Sequence, residues 1–456
     1  MTTTRPASIA ATLAGLFLLT AAPVEAAELR PGDIVVADIQ AYGGDGGLIL
    51  VDPETGRQRT LSTNDQPANS GVTEHLDDPY DVTVTPHGRV LAAEEYAPGG
   101  DGSVVSVDPK NGKQRLISSN DQPVNAGTTE LLLDPWGVLF VPGHGIVVSD
   151  YNAFDFDGGL IGVDAEDGKQ RVVSSNDLPV NSGISELFAT TPRLAQARSG
   201  ELAVVSHGTD PGLIGVNAAT GKQRVLSANS QPVNSGSSEL FVVPQAVDVG
   251  ADGTLFVTDT NAFFGGGVIG VDPRTGEQSK VSANDMPVNS TSMVFESPQG
   301  IATDLNGDLV VVQPTAPLAF GGNPGSVLHV DSATGAASVL SSNDVPANAG
   351  ESELFAEPYG ITVVPPRCAS RYATAYGSAA GERLPGTGGD DVQAGLGGRD
   401  RLAGAGGGDL SCGGKGGDTI RGGPGGDLLD GGPGRDVCIG GPGRDRARGC
   451  ERERSL

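Results

Sequence analysis

The 72 residues from Gly377 to Arg448 repeat every nine positions, and this period limits what the chain can fold into more than any other feature. A glycine opens each of eight units, at Gly377, Gly386, Gly395, Gly404, Gly413, Gly422, Gly431 and Gly440. The sixth place is acidic every time: Glu382, Asp391, Asp400, Asp409, Asp418, Asp427, Asp436 and Asp445. Consecutive glycines permit backbone turns with positive φ and let carbonyl oxygens converge. One apolar residue at the eighth place (Leu384, Leu402, Ile420, Leu429) suits a very short strand. Such a unit cannot bury that residue alone, so units must stack. A flexible glycine-rich linker has no reason to hold a carboxylate in phase over eight units.

The best-kept units read GGKGGDTIR, GGPGGDLLD, GGPGRDVCI and GGPGRDRAR. They resemble the RTX (haemolysin-type) calcium-binding repeat, G-G-x-G-x-D-x-U-x, where U is large and apolar. The resemblance implies a parallel β-roll with Ca2+ as cofactor, bound between turns that lie two units apart. One edge would carry Asp400, Asp418 and Asp436, and the other Asp391, Asp409, Asp427 and Asp445. The glycine turns would complete the sites: Gly413, Gly414 and Gly416; Gly422, Gly423 and Gly425; Gly431, Gly432 and Gly434; Gly440, Gly441 and Gly443. Calcium takes six to eight oxygen ligands, which carboxylates and carbonyls together supply. Earlier units depart from the pattern, with Ser378, Thr387, Leu396 and Ala405 at the second place and Ala380 at the fourth. Gln393, Ser411 and Ala447 occupy the apolar place. The sites from Asp418 to Asp445 are therefore expected to be the best formed, and Glu382 the poorest.

Charge and cysteines set the surroundings. With 29 basic and 56 acidic residues the net charge is −27, and nearly all of the excess lies before residue 385. Such a surface repels nucleic acid and anionic membrane and attracts cations; no basic patch with interleaved aromatics offsets this, so no nucleic-acid partner is expected. Residues 1–26 read as a secretory signal peptide: Arg5, an apolar run from Ile9 to Val24, and a small-residue site at Val24-Glu25-Ala26. No other segment is apolar enough to span a bilayer, so a secreted, extracellular protein is expected, free or held at the cell surface. The four cysteines all lie in the tail. An even number in an exported chain suggests disulfides. Three pairings exist, and Cys368–Cys412 with Cys438–Cys450 is favoured because it would clamp the two ends of a roll.

A longer period occupies residues 27–365. A Val-Asp marker recurs at Asp52, Asp108, Asp164, Asp272 and Asp331, with Val216-Asn217 as the remaining copy. Each unit holds four strand-like runs between Gly, Pro, Asn and Asp. The fifth runs from Pro298-Gln299-Gly300-Ile301-Ala302 to Ala336–Ser341. The pattern P-x-G-I-A … G-x-L-x-V-x-D … V-x-x-V-D-x-x-T-G resembles NHL-type and streptogramin-lyase-like propellers. The chain enters on a second-type strand, Ile34 to Asp38, and ends on a lone first-type strand, Pro358 to Val364. The fold class expected is all-β: a six-bladed propeller of 24 strands whose ring is closed by the domain's last strand, since closure removes exposed edges. A linker (366–376), the roll (377–448) and a C-terminal cap (449–456) follow.

A loop N-D-x-P-x-N recurs from Asn64, Asn120, Asn176, Asn284 and Asn343, and reads N-S-Q-P-V-N from Asn229. Two readings fit it: turn chemistry, or an acidic rim that binds cations or a polar ligand. Symmetry breaks in the fourth unit, at Asn217, Ser230 and His207. No G-x-S-x-G or H-E-x-x-H occurs, and the five histidines form no ligand-spaced pair. His207 with Asp150 and Asp259, which end equivalent strands, is the nearest approach to a catalytic group. The preferred reading is a non-catalytic calcium-binding protein whose propeller recognises an extracellular protein or glycan. The alternative is a propeller lyase or lactonase-type hydrolase with the tail as a secretion or stability module. A channel lined on one side by a His and carboxylates would favour the alternative, and one filled with Val, Ile and Leu the first.

Overall fold

The computed structural model describes residues 28–455 apart from 70–74, 97–99, 126–129, 183–186, 235–239, 290–293, 316–323 and 349–353. The signal-peptide reading lies outside the described residues. Six antiparallel four-stranded sheets form the propeller. Blade one pairs Pro358–Val363 with Ile34–Asp38, followed by Gly47–Val51 and Gln58–Ser62. The ring closes as expected: Ile34 lies opposite Val363, and Val36 opposite Ile361. Blades two to six begin at Pro79, Pro135, Leu194, Pro244 and Gly300.

The second strands are apolar on both faces because each sheet is sandwiched between two others. Ile34–Asp38 and Gly47–Val51 are buried throughout, whereas Gln58–Ser62 at the outer edge exposes its middle residues. The core is accordingly divided into clusters between neighbouring blades, such as Leu91, Val104, Ile146, Val148 and Ile161 between blades two and three.

The repeated loop holds these blades together. Its second Asn sits buried at the end of a short 3-10 turn. Asn69 donates to the Thr63 carbonyl at 2.8 Å and to the Gly112 carbonyl of the next blade at 3.0 Å, and accepts from the Gln114 amide at 2.9 Å. Asn348 repeats this across the closure, bonding Gly56 and Gln58. Turn chemistry accounts for the repetition. The marker is also a turn: Asp52 Oδ1 accepts the Glu54 and Thr55 amides, and Asn217 Oδ1 accepts the equivalent Ala219 and Thr220 amides. The Asp-to-Asn change in blade four therefore leaves its geometry intact.

The tail is a parallel β-solenoid of two five-stranded sheets. One contains Ala375–Tyr376, Val392–Ala394, Leu410–Cys412, Leu428–Asp430 and Arg446–Arg448; the other contains Arg383–Pro385, Arg401–Ala403, Thr419–Arg421, Val437–Ile439 and Arg452–Arg454. Leu384, Leu402, Ile420, Leu429 and Cys438 fill its core. Gln393 and Ser411 are also fully buried there. The amide of Gln393 donates to the Leu384 carbonyl at 3.1 Å and accepts from Ser411 Oγ at 2.9 Å, so the polar residues are satisfied.

Two segments carry more structure than a linker and a cap. Arg367–Cys368 pairs with Arg371–Tyr372 as a hairpin, and Tyr372 Oη donates to the Leu29 carbonyl at 2.7 Å. Arg452–Arg454 extends the second sheet beyond Arg448. Both expected disulfides form. Cys438–Cys450 closes the C-terminal end, while Cys368–Cys412 ties the hairpin to the middle strand of the first sheet rather than to the roll's other end. No helix among the described residues is long and apolar enough to cross a membrane.

Candidate metal centre

Each unit turns at its glycines and projects its sixth residue along the edge of the roll. The carboxylates use one oxygen to tie successive coils. Asp391, Asp400, Asp409, Asp418 and Asp427 each donate a backbone N–H to Oδ1 of the aspartate 18 residues later, at 2.8–3.0 Å. The result is the two columns expected from the sequence. Glu451 finishes one of them, accepting the Asp436 amide at 2.6 Å on Oε2. This residue was invisible to nine-residue counting because it follows Asp436 by 15.

The other oxygen is unanswered. Oδ2 of Asp400, Asp409, Asp418, Asp427, Asp436 and Asp445 is buried without a hydrogen-bond partner. Burying one such charged acceptor is costly unless something pairs with it. Six such oxygens lie in stacked register. Burial pushes Asp400 and Asp409 up to about 7, and raises Asp418, Asp427 and Asp436 above the ordinary carboxylate range.

The glycines make room in front of these oxygens. A Cβ placed on Gly413 would stand 2.6 Å from Asp418 Oδ2 and 2.7 Å from the Gly431 carbonyl oxygen of the next coil. Oxygens from two coils thus converge where a side chain would otherwise be. Gly395 faces Asp400 Oδ2 in the same way, and Gly431 faces Asp436 Oδ2. The second-place glycines Gly414, Gly423, Gly432 and Gly441 have φ between 85° and 126°. Leu396 and Ala405 adopt the same left-handed turn at φ 70° and 78°, without glycine's freedom. Hard, oxygen-only donors in this arrangement suit Ca2+.

The first two units differ. Asp391 Oδ2 accepts the Thr387 amide at 2.6 Å and its hydroxyl at 3.0 Å, so the side chain at the non-glycine second place answers it from within the unit. Glu382 is likewise turned back onto Ser378.

In the propeller, the suspected catalytic group is consumed by the fold. Asp150 Oδ2 accepts the Leu133 and Asp134 amides and Oδ1 those of Asn152 and Ala153. Asp259 repeats this with Val242, Val243, Asn261 and Ala262. His207 Nε2 lies 2.6 Å from the Pro244 carbonyl, and Ser206 Oγ, which accepts the Ala189 amide, takes over the capping in its blade. The central channel contains a cavity of about 220 Å³ walled largely by Val82, Val84, Val138, Leu194, Val247, Ile301 and Ile361. Six charged groups interrupt that wall: Asp81, Arg193, Arg198, Asp248, Asp304 and Asp391. Arg193 Nε is 3.6 Å from Asp81 Oδ1, and its Nη2 donates to the Tyr80 carbonyl at 2.7 Å. The roll covers one end of the channel, where Tyr376 donates to the Thr303 carbonyl and accepts from Arg198 through its own carbonyl. Beyond Arg193 runs an aromatic arc: Tyr359 beside Tyr80, Tyr80 stacked on Trp136 at 4.7 Å, and Trp136 on Tyr151 at 4.5 Å. Asp134, which accepts from Trp136 Nε1, is pushed up to about 7 by burial.

A search of the curated proteins finds no match. Among solved structures the chain is similar to TolB from Acinetobacter baumannii, at 13% identity and TM-score 0.43, covering 72% of this chain and 66% of that one, just under two thirds of its length. It is also similar to a structural-genomics protein of unknown function from Bacteroides thetaiotaomicron, at 13% identity and TM-score 0.43, covering 70% and 76%. Residues 413–447 match the model of the RTX calcium-binding nonapeptide repeat in four copies, and this part of the tail is a run of such repeats.

Proposed function

We propose that this is a secreted calcium-binding protein in which cations between stacked aspartates order the tail, and the propeller serves as a recognition scaffold. The six buried, unpartnered Oδ2 atoms carry the first half of the reading. Asp400, Asp409, Asp418, Asp427, Asp436 and Asp445 are its proposed ligands, with the glycine turns from Gly413 to Gly443 supplying carbonyls; Asp391 is the weakest member. Without a divalent cation the columns place like charges one coil apart. The tail then orders where calcium is plentiful, outside the cell. Two disulfides and a net charge of −27 support an extracellular setting. For the propeller, the spent carboxylates of Asp150 and Asp259 support binding rather than catalysis. The arc from Tyr359 to Tyr151, flanked by Asp134, is the surface we assign to an extracellular protein or glycan.

The test is calcium calorimetry on the chain from Ala27 onward, beside a variant with Asp418, Asp427, Asp436 and Asp445 changed to Ala. The variant should lose most of the binding heat while the propeller still melts cooperatively. Equal heats from the two proteins would refute the assignment.

A further inference from the structure

Blade six carries a second cluster of donor atoms, far in sequence from the calcium repeats. Asp304 and Asp308 lie on the turn between strands Gly300–Thr303 and Leu309–Thr315, and His329 lies on the third strand, opposite Val310. One oxygen of each aspartate belongs to the turn. Asp304 Oδ1 accepts the Asn306 and Asp308 amides at 2.8 and 2.9 Å, and Asp308 Oδ1 accepts the Ser332 amide at 3.1 Å. The other oxygens face the imidazole: His329 Nε2 is 3.9 Å from Asp304 Oδ2 and 3.5 Å from Asp308 Oδ2.

These separations are long for hydrogen bonds. They are close to the edge of a tetrahedron around an ion with bonds of ~2.1 Å, which is ~3.4 Å. All three donor atoms lie within 4.8 Å of one another, and the side chains are between 19% and 37% exposed, open to solution yet anchored.

The fold does not require the three residues. The sister blades make the same turn without them: the amide of Thr85, Ala197 or Gly250 bonds the carbonyl of Arg89, Glu201 or Thr254, as Asp304 bonds Asp308. At the place of His329 the register puts Leu50, Ser106, Gly162, Gly215 and Gly270. Among the described residues, only blade six brings two carboxylates and an imidazole together in this way.

We propose that Asp304, Asp308 and His329 form a site for one divalent metal ion of the zinc class, independent of the calcium ladder. Imidazole with carboxylates is a borderline donor set that suits zinc, cobalt or nickel better than calcium. Three protein ligands leave a coordination position open to water or to an incoming donor.

Cobalt(II) tests this on the whole chain with calcium kept saturating, so that the roll is already filled. One equivalent should give a visible ligand-field band that zinc abolishes. His329→Ala and Asp308→Asn should each weaken cobalt binding by about tenfold or more, and Asp418→Asn should leave the band unchanged. Asp308→Asn keeps an oxygen for the Ser332 amide, so it decides the matter should His329→Ala lose its cooperative melt. A wild-type spectrum no different from free cobalt, or a band undiminished in Asp308→Asn, overturns the proposal.

Discussion

The backbone N–H of Asp409 donates to Oδ1 of Asp427, one coil further on, at 2.9 Å, while Oδ2 of Asp427 has no partner. One carboxylate thus has two jobs that substitution can separate. Asp427→Asn keeps the acceptor and replaces the bare oxygen with a donor; Asp427→Ala removes both. In chelator, the Asn variant should melt at or above the wild type, because an uncompensated buried charge has gone, and the Ala variant below it. In calcium both should fall below the wild type. Melting followed by circular dichroism in the two buffers separates the roles.

The raised carboxylates give the calcium-free tail a definite pH response. Burial holds Asp400 and Asp409 at about 7 against an ordinary 3.8. A folded-state pKa above the unfolded one contributes stability that is complete below the unfolded value and is lost as pH rises through the folded value. In chelator, the tail should therefore resist urea best in acid and lose resistance as pH rises from about 4 through about 7, as followed by circular dichroism. With calcium the order reverses, since protons compete for the same oxygens.

Adjacent glycines differ sharply in what they permit. A methyl on Gly416 would fall onto the Gly398 carbonyl of the preceding coil, at a φ of 140°; on Gly417 it would stand 3.5 Å from its nearest neighbour, the Arg435 oxygen. Gly416→Ala should cost on the order of 3 kcal/mol or more in the calcium-loaded tail, and Gly417→Ala little. Calcium titrations of the two variants provide the comparison.

Ring closure can be weakened without touching the closing strand. Asn348 bonds the Gln58 amide and the Gly56 and Ser342 carbonyls. Asn348→Ala strands three backbone groups and should lower propeller stability by about 2–4 kcal/mol, leaving calcium binding as it was. Urea unfolding measures the loss.

Repetition made most of this molecule legible. Strand order at Ile34 and Pro358 was enough to close the ring, and constant phase placed Asp400 to Asp445 on two edges. What escaped was broken period or distant pairing. Glu451 enters its column after a shortened unit, and Thr387 answers Asp391 through a local bond that no count reveals. Asp304, Asp308 and His329 meet only because three strands of one blade lie side by side. The repeated Asn and the strand-end Asp were conspicuous in the sequence for a structural reason: each binds several backbone groups of a neighbouring loop or blade, so the same residue is needed at nearly every turn of the ring.

Because Pro358–Val363 supplies the innermost strand of the blade that begins at Ile34, a growing chain must make more than three hundred residues before its first sheet is whole. Until then the edge of Ile34–Asp38 that faces away from Gly47–Val51 lacks its partners, and any other extended segment is a competitor for it. A chain cut just before Pro358 would lose far more than six residues: it would be left as an unclosed arc with a sticky margin.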